Sequence, residues 1–472
     1  MKFDINFQKK NIKELIKKIF LIKECISVNV VGSFVENVDI NKIGDLDIVI
    51  ISKEISQKFV NECKFEIKKH KFPITKKIKI NDTFGPLKYD KKKYLVIHLM
   101  VYDVWGHINH VIKSPFTCFD WERKNIYTGK SLKQIYSTNT LQLRDFFNSR
   151  RGIINHYNDI KNNVISTYSY QFNNKNYKVI NHKTKLNTLN RKNYCKHIIK
   201  HNLTNFSKLY FQKNSKVKNA DLKKIKINNE LKKYYNFDFD RQKLDFIYKE
   251  TRNFLNKFFA CIRKIHHNSN KIIFIRHAKT KLNKNNIFLG RKTNIGIIKF
   301  KNNDKKFYDK IFSSPLERSK NTAKEFRTKT IKIDSNLNEI NYGLFDGSTY
   351  DQLKIRNPKM IKNWSLFKDP RFPNGENQSD VIIRVNKFIK KLKKDLKNKN
   401  SQNYLVVTHN VFLRCLLGKS LKIDQKDWHK IKINHLDKLE FLMFNNKILT
   451  NIHRKKISKI LKYKSDEASS TN

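Results

Sequence analysis

Glycine and proline are scarce in this chain, 12 and 7 among 472 residues. Linkers therefore do not announce themselves by composition, and domain edges must be read from hydrophobic pattern. Acidic residues are heavily outnumbered, 41 Asp and Glu against 100 Lys and Arg, for a formal charge of +59. Cysteine is sparse too: Cys25, Cys63, Cys118, Cys195, Cys261 and Cys415 stand far apart, with no CxxC. That spacing argues against a zinc site or a disulfide framework and fits a reducing compartment. No run of 18 apolar residues occurs, which excludes an apolar membrane-spanning helix. Met1-Lys2-Phe3-Asp4 opens no apolar stretch of the kind a secretory signal needs. The expectation is a soluble, cytoplasmic protein without a membrane role.

Hydrophobic residues make up 39% of the chain and 34 are Phe, enough for sizeable cores. At about 150 residues per domain the length suggests two domains and a connector. The positive charge suits binding to nucleic acid or to an anionic membrane surface. The Lys, Asn and Ile excess is spread over the entire chain, however, as codon usage in an AT-rich genome produces. Nucleic acid thus stays a partner that the charge permits, and the basic field should in any case draw phosphorylated substrates.

Ile272-Ile273-Phe274-Ile275 reads as a short buried strand with Arg276-His277 at its end. In open α/β sheets ligands sit at the carboxyl ends of strands. Ser314-Pro315-Leu316-Glu317-Arg318 follows, then Glu339 to Gly343, Pro373-Asn374-Gly375-Glu376, and Val406-Val407-Thr408-His409-Asn410. Phosphoryl transfer needs a nucleophile, cations around the equatorial oxygens and an acid for the leaving oxygen. His277 supplies an imidazole that titrates near neutrality. Arg276 and Arg318 supply forked donors that lysine cannot reproduce. Glu339 supplies a proton, and His409 a further donor. No metal or other cofactor is required by this set.

Residues from about 270 to 455 resemble the histidine phosphatase superfamily, the phosphoglycerate-mutase-like group. The signature Arg-His-Gly-x-Thr-x-x-Asn is met from Arg276 to Asn283, with Ala278 in place of the usual glycine. Ala tolerates positive φ poorly, so it fits only in an extended or helical conformation. The resemblance implies a three-layer α/β/α domain over 266–460 and a phosphohistidine on His277. Asn283, Gly375 and Glu376 would shape the substrate site.

Nearer the start, residues 11–24 read as an amphipathic helix with Ile12, Leu15, Ile16, Ile19 and Phe20 on one face. A strand through Val28 to Val31 leads to Gly32-Ser33, and Asp45-Leu46-Asp47 opens a second apolar strand. Side chains alternate along a strand, so Asp45 and Asp47 share a face. Two carboxylates beside a Gly-Ser turn can hold divalent cations and a triphosphate. This stretch resembles the nucleotidyltransferases of the DNA polymerase beta superfamily. The resemblance implies an α+β domain over 1–150, Mg²⁺ at Asp45, Asp47 and a third carboxylate, an NTP as substrate, and Gly32 and Ser33 at the phosphates. Asp103 is the expected third ligand if a strand end re-aims it. His98 in that place would weaken the domain or leave it inactive.

Gly85-Pro86-Leu87-Lys88 reads as a turn. Trp105, His107, His110, Trp121 and Glu122 read as core rather than as a base-stacking or metal site. Residues 151–265 read as a basic connector or small helical region, with little periodicity over 165–240, where a nucleic-acid surface of basic and aromatic residues is the less favoured alternative. Residues 461–472 read as a disordered tail. The chain as a whole is expected to be a bifunctional enzyme, acting in successive steps on one small phosphorylated metabolite. A phosphatase or mutase with an inactive nucleotide-binding domain is the alternative, and a nucleic-acid-associated basic protein a further one. Oligomeric state cannot be read from the sequence.

Overall fold

The computed structural model describes residues 4–85, 93–173, 176–213, 229–285, 287–366, 368–444 and 446–461. The expected turn at Pro86-Leu87-Lys88 and the expected tail beyond Leu461 lie outside the described residues. The chain divides into two units, Met1–Cys261 and Ile262–Asn472. No helix among the described residues is long and apolar enough to cross a membrane.

In the N-terminal unit the helix Ile5–Phe20 starts earlier than its apolar stripe suggests, because the Asp4 side chain accepts from the Asn6 backbone N–H and caps it. Ile12, Leu15, Ile16 and Ile19 are buried at helical spacing. The helix stops at Phe20, and Glu24 takes a φ of 74°, which a helix cannot include. Strands β1 (Cys25–Val31), β2 (Asp45–Ser52), β3 (Lys77–Asn81), β4 (Tyr94–Asp103) and β5 (Ile126–Gly129) form a mixed sheet in the order β3-β4-β2-β1-β5. β2 and β3 run parallel to β4, and β1 runs antiparallel to β2 and β5. Val28, Val30, Leu46, Ile48, Leu95, Ile97 and Leu99 of this sheet pack with the first helix in one apolar cluster.

The segment with little periodicity contains an antiparallel hairpin, β6 (Val164–Asn173) and β7 (Asn176–Lys185). β7 is exposed along nearly its whole length, so no alternation of apolar and polar residues marks it in the sequence. The helix Thr188–Phe211 follows and buries Tyr194, Cys195, Ile198, Leu203, Phe206 and Leu209.

In the C-terminal unit β8 (Asn270–Arg276), β9 (Phe307–Tyr308), β10 (Lys310–Ser313), β11 (Arg327–Thr328), β12 (Ile331–Ile333), β13 (Asn403–Thr408), β14 (Lys438–Phe444) and β15 (Lys447–Thr450) appear in chain order. Six of them form one sheet, β12-β10-β13-β8-β14-β15, whose first four members are parallel. β14 pairs antiparallel with β8 and β15. Ile272 and Phe274 of β8 join one apolar cluster, whereas Ile273 and Ile275 join another. Strand alternation thus feeds a core on each face, which explains why the β8 and β13 sequences are continuous apolar runs. The carboxyl ends of β8, β10 and β13 carry Arg276-His277, Ser313-Ser314 and Thr408-His409 side by side.

Candidate active site

The backbone N–H of His277 donates to the Thr408 carbonyl at 3.0 Å and ties the ends of β8 and β13 together. Nδ1 of His277 lies 2.7 Å from the Ala278 carbonyl oxygen. A carbonyl only accepts, so Nδ1 carries the proton and the lone pair of the neutral ring lies on Nε2. Burial, with the Arg318 guanidinium, holds the His277 pKa well below the ordinary imidazole value. The ring is therefore held by its own loop with the Nε2 lone pair unspent by this bond. Ala278 takes a negative φ and is buried, so it replaces glycine without backbone strain. Its N–H donates to Thr322 Oγ1.

Arg276 donates from Nη1 to the Ile433 carbonyl at 2.9 Å, and its buried Nε has no partner among the described residues. A buried N–H without an acceptor is costly, by about 1–3 kcal/mol, unless a ligand accepts it. Arg318 is fully buried and more committed than its motif suggests. It donates from Nη1 to Thr293 O at 3.0 Å, and from Nη2 to Leu289 O at 2.9 Å and Gly290 O at 2.8 Å. Its Nε meets His409 Nδ1 at 3.3 Å. The expected phosphate fork is thus largely spent on carbonyls, and the field of Arg318 reaches the site more than its donors do.

His409 differs from expectation in the same way. Nδ1 must accept from Arg318, so the neutral ring is protonated at Nε2, which lies 2.9 Å from Ser314 Oγ and 3.1 Å from Ser319 Oγ. Both ring nitrogens are engaged, 5.1 Å from the His277 ring between centroids. The hydroxyls of Ser314 and Ser319 capture the donor that the sequence assigns to the phosphoryl group.

Glu339 is buried. Its carboxylate accepts from the backbone N–H groups of Ile340 at 3.0 Å, Asn410 at 3.1 Å and Val411 at 3.2 Å. The last two open the helix Asn410–Ser420, where donors and dipole favour a negative charge. Burial nevertheless outweighs these bonds and the nearby Arg318 and Arg276, and holds the carboxyl above its usual range. Such a group can donate a proton near neutrality.

Asn283 accepts from the backbone and hydroxyl of Thr280 at 2.9 and 3.0 Å and so fixes the loop after the nucleophile. Glu376 accepts from Arg384 Nε at 3.2 Å and Nη2 at 2.9 Å, from Arg291 Nη2, and from the Asn341 N–H at 3.0 Å. Arg384 also reaches the Asn336 and Asn338 carbonyls, at 2.9 and 2.7 Å. Arg291 reaches the Glu339 carbonyl at 3.2 Å. Glu376 is therefore the knot that sets the Glu339 loop. Gly375 packs against the same loop, where an added Cβ would lie 2.4 Å from the Asn341 carbonyl oxygen.

Arg291, Arg384, Arg414 and His435 complete the surroundings, and nothing in the sequence marks them beyond lying near the motifs. Half-buried Arg414 donates from Nε to the Ile431 carbonyl at 2.9 Å. His435 Nδ1 lies 2.7 Å from the His277 carbonyl, and burial, with Arg276, lowers its pKa to about 4.

In the N-terminal unit Asp45 and Asp47 stand on one face of β2, opposite Val96 and His98 of β4. Gly32 takes a φ of 80°, and a Cβ there would lie 2.5 Å from Asp47 Oδ2. Ser33 opens the short 3-10 turn that follows. His98 Nδ1 is 3.0 Å from Asp47 Oδ1 and Nε2 is 2.9 Å from the Thr83 carbonyl. Asp103 lies opposite Ser52 instead, caps the helix Val104–Lys113 through the Gly106 N–H, and bonds Tyr177. The register of β4 thus brings His98, not Asp103, to Asp47. Among the described residues no cluster of three or more His, Cys, Asp or Glu side chains forms a metal cage. The structure therefore does not assemble the expected three-carboxylate set of Asp45, Asp47 and Asp103. His107 and His110 are core groups, with His110 stacked on Tyr102 at 5.1 Å.

A buried His with its lone pair on Nε2, an arginine with an unmet donor and a buried Glu beside them suit phosphoryl transfer. Residues 272–447 match the family model of the histidine phosphatase superfamily (branch 1), and the C-terminal region carries a domain of that superfamily. Fructose-2,6-bisphosphatase of Saccharomyces cerevisiae is 28% identical over 141 residues, 29% of this chain and 30% of that protein. The 6-phosphofructo-2-kinase/fructose-2,6-bisphosphatase of Caenorhabditis elegans is 31% identical over 114 residues, 23% of each chain. The chain thus spans less than a third of either relative. Among solved structures, the phosphoserine phosphatase of Entamoeba histolytica in complex with 3-phosphoglyceric acid is 20% identical, covers 39% of this chain and 95% of its own, and gives a TM-score of 0.34.

Proposed function

We propose that the C-terminal unit hydrolyses a phosphomonoester through a phosphohistidine at Nε2 of His277. The observation that carries this reading is the Nδ1–H bond to the Ala278 carbonyl, which leaves Nε2 as the lone-pair nitrogen. Nε2 attacks phosphorus while the P–O bond to the leaving group breaks, and Glu339 gives that oxygen its proton. Water then attacks the phosphohistidine, Glu339 takes the proton from it, and inorganic phosphate leaves. The unmet Nε–H of Arg276 is the donor best placed to take up a phosphoryl oxygen. The test is phosphate release in EDTA from a panel of phosphorylated metabolites, comparing wild type with His277→Ala. Fructose 2,6-bisphosphate and phosphoserine belong in the panel because relatives and solved structures carry those names. Release that persists in EDTA and vanishes in the variant supports the reading; release unchanged in the variant removes it.

A second reading rests on Gly32 and Asp47. We infer that the N-terminal unit binds an NTP with Mg²⁺, Asp45 and Asp47 holding the ion and Gly32-Ser33 at the phosphates. A cation there would offset the triphosphate charge. The approach of Gly32 to Asp47, too close for any Cβ, supports it. His98 beside Asp47 favours binding without turnover, whereas transfer to the phosphatase substrate would make the chain bifunctional. Calorimetry with NTP and Mg²⁺, paired with a pyrophosphate-release assay, separates the two. No binding by wild type, or binding unchanged in Asp45→Asn/Asp47→Asn, ends this reading.

A further inference from the structure

We propose that the β6–β7 ribbon of the N-terminal unit is a docking surface for single-stranded nucleic acid, separate from the phosphatase chemistry. The first observation is one of sequence. No Asp or Glu stands between Asp159 and Asp221, although the chain as a whole has 41 in 472, about one in twelve. Codon bias enriches Lys and Asn everywhere, but it does not remove acids from one segment only. The second observation is exposure. β7 presents Tyr177, Lys178, Val179, His182, Lys183 and Lys185 to solvent. None of its three lysines forms an ion pair with another described residue. Elsewhere in the same segment Lys196 is paired with Asp240, and Lys208 with Asp120. The ribbon's three lysines are unspent.

The third observation is the arrangement of rings. The register pairs Ser166 with Lys183, Tyr168 with Asn181, Tyr170 with Val179 and Phe172 with Tyr177. Directly paired residues share a face, and side chains two apart on one strand share it as well. Lys183 and Lys185 therefore stand on the face that carries Tyr168 and Tyr177, which are 43% and 38% exposed. Asp103 touches this face at Tyr177, and Asp82 lines a pocket with Tyr170 and Phe172 at its inner end. The ribbon is held firmly. Tyr170 donates to the Val101 carbonyl at 3.0 Å and Tyr168 pairs with Phe84 through the backbone. Accessible rings set among unpaired cations are what sequence-tolerant single-strand binding uses, bases stacking while lysines track the phosphates. A membrane surface would instead call for a broad apolar face beneath the cations, and Val179 is the only aliphatic residue strongly exposed on the ribbon among the described residues. Lysines that only guard an open strand edge against aggregation would need no rings beside them.

The test uses the full chain and a labelled 20-nucleotide uridine oligomer in a fluorescence-anisotropy titration across salt. Lys183→Glu/Lys185→Glu should weaken binding at least tenfold and flatten the salt dependence. Tyr168→Ala/Tyr177→Ala should weaken it about fivefold or more. The control Lys387→Glu/Lys390→Glu makes the same charge change on exposed lysines of the C-terminal unit and should leave binding within twofold. Equal loss in both double variants would return the affinity to diffuse charge and overturn the proposal. So would anionic phosphatidylserine vesicles binding as tightly while the tyrosine variant has no effect, an outcome that points to membrane. Should the glutamates unfold the ribbon, crosslinking of a 4-thiouridine oligomer to wild type decides. Crosslinks within 164–185 support the proposal, and crosslinks confined elsewhere overturn it.

Discussion

The Nδ1–H of His435 is held 2.7 Å from the backbone carbonyl oxygen of His277. The nucleophile is thereby fixed at both of its polar handles, the ring by Ala278 and the carbonyl by His435. His435→Ala should lower kcat about tenfold, with little change in KM, by loosening the loop that aims Nε2. Asn can place an amide N–H near the Nδ1 position, so His435→Asn should recover most of the loss. With its pKa near 4, His435 stays neutral from pH 5 to 9, and neither variant should alter the shape of the pH profile over that range. A new pH limb in either variant would mean that His435 moves a proton.

Glu339 sets the alkaline limb. The group must be protonated to act on the leaving oxygen, and burial raises its pKa above the usual carboxylate range. Activity should be present below that raised value and fall as pH climbs through it. His277 is held neutral far below its ordinary value, so no acid limb is expected near pH 6.5. Glu339→Gln should cost about 10²–10⁴ in kcat with alkyl phosphates. It should cost much less with p-nitrophenyl phosphate, whose leaving oxygen needs no proton. Equal losses on both substrates would take the acid role away from Glu339.

Glu376 is mostly buried and pairs with Arg384 and Arg291. Its Arg384 partner is likewise mostly buried, so removing the carboxylate strands a charge that water can only partly reach. Glu376→Ala should destabilise the C-terminal unit by about 3 kcal/mol, the low end for breaking a buried pair because Arg291 is about one-third exposed. A urea titration followed by phosphatase activity measures this. kcat should fall too, because Arg384 and Arg291 hold the Glu339 loop by its carbonyls. An unchanged midpoint with lost activity would place Glu376 on substrate instead.

The parts of this site that the sequence announces are those at strand ends. Arg276, His277 and His409 stand where continuous apolar runs stop, and both runs are continuous because their sheet is covered on two faces. Arg291 and Arg384 are invisible by the same test. What recruits them is a shared carboxylate, 85 residues from Arg291 and 8 from Arg384, and no periodicity records that. Asp103 shows a second limit. Alternation along β4 is legible, but its register against β2 is decided by packing, and register puts His98 beside Asp47. His98 meets two acceptors, Asp47 and the Thr83 carbonyl, a setting that favours its protonated form. Burial opposes this, and the Asp47 bond and charge outweigh it, so the His98 pKa is raised. The hairpin β6–β7 escaped notice because an exposed strand has no burial pattern to display.

Gly343 gives a sharp structural test. It takes a φ of 56°, and a Cβ would fall 1.9 Å from the Pro373 carbonyl oxygen. Left-handed backbone and hard overlap act together, because the 373–375 turn crosses directly over the Glu339 loop. Gly343→Ala should cost about 3–5 kcal/mol from strain and overpacking combined. A flexible side chain could step aside, but a backbone carbonyl held by the Leu344 N–H at 3.0 Å cannot. The expected readout is a large fall in the urea midpoint of phosphatase activity, with kcat lowered even in folded protein because the acid shifts with its loop. Ala at Gly152 of the N-terminal unit, where a Cβ meets nothing within 4 Å, is the matched control and should be neutral or slightly stabilising. A Gly343→Ala protein as stable and active as that control would mean that the two loops do not pack as described, and the placement of Glu339 would fall with them.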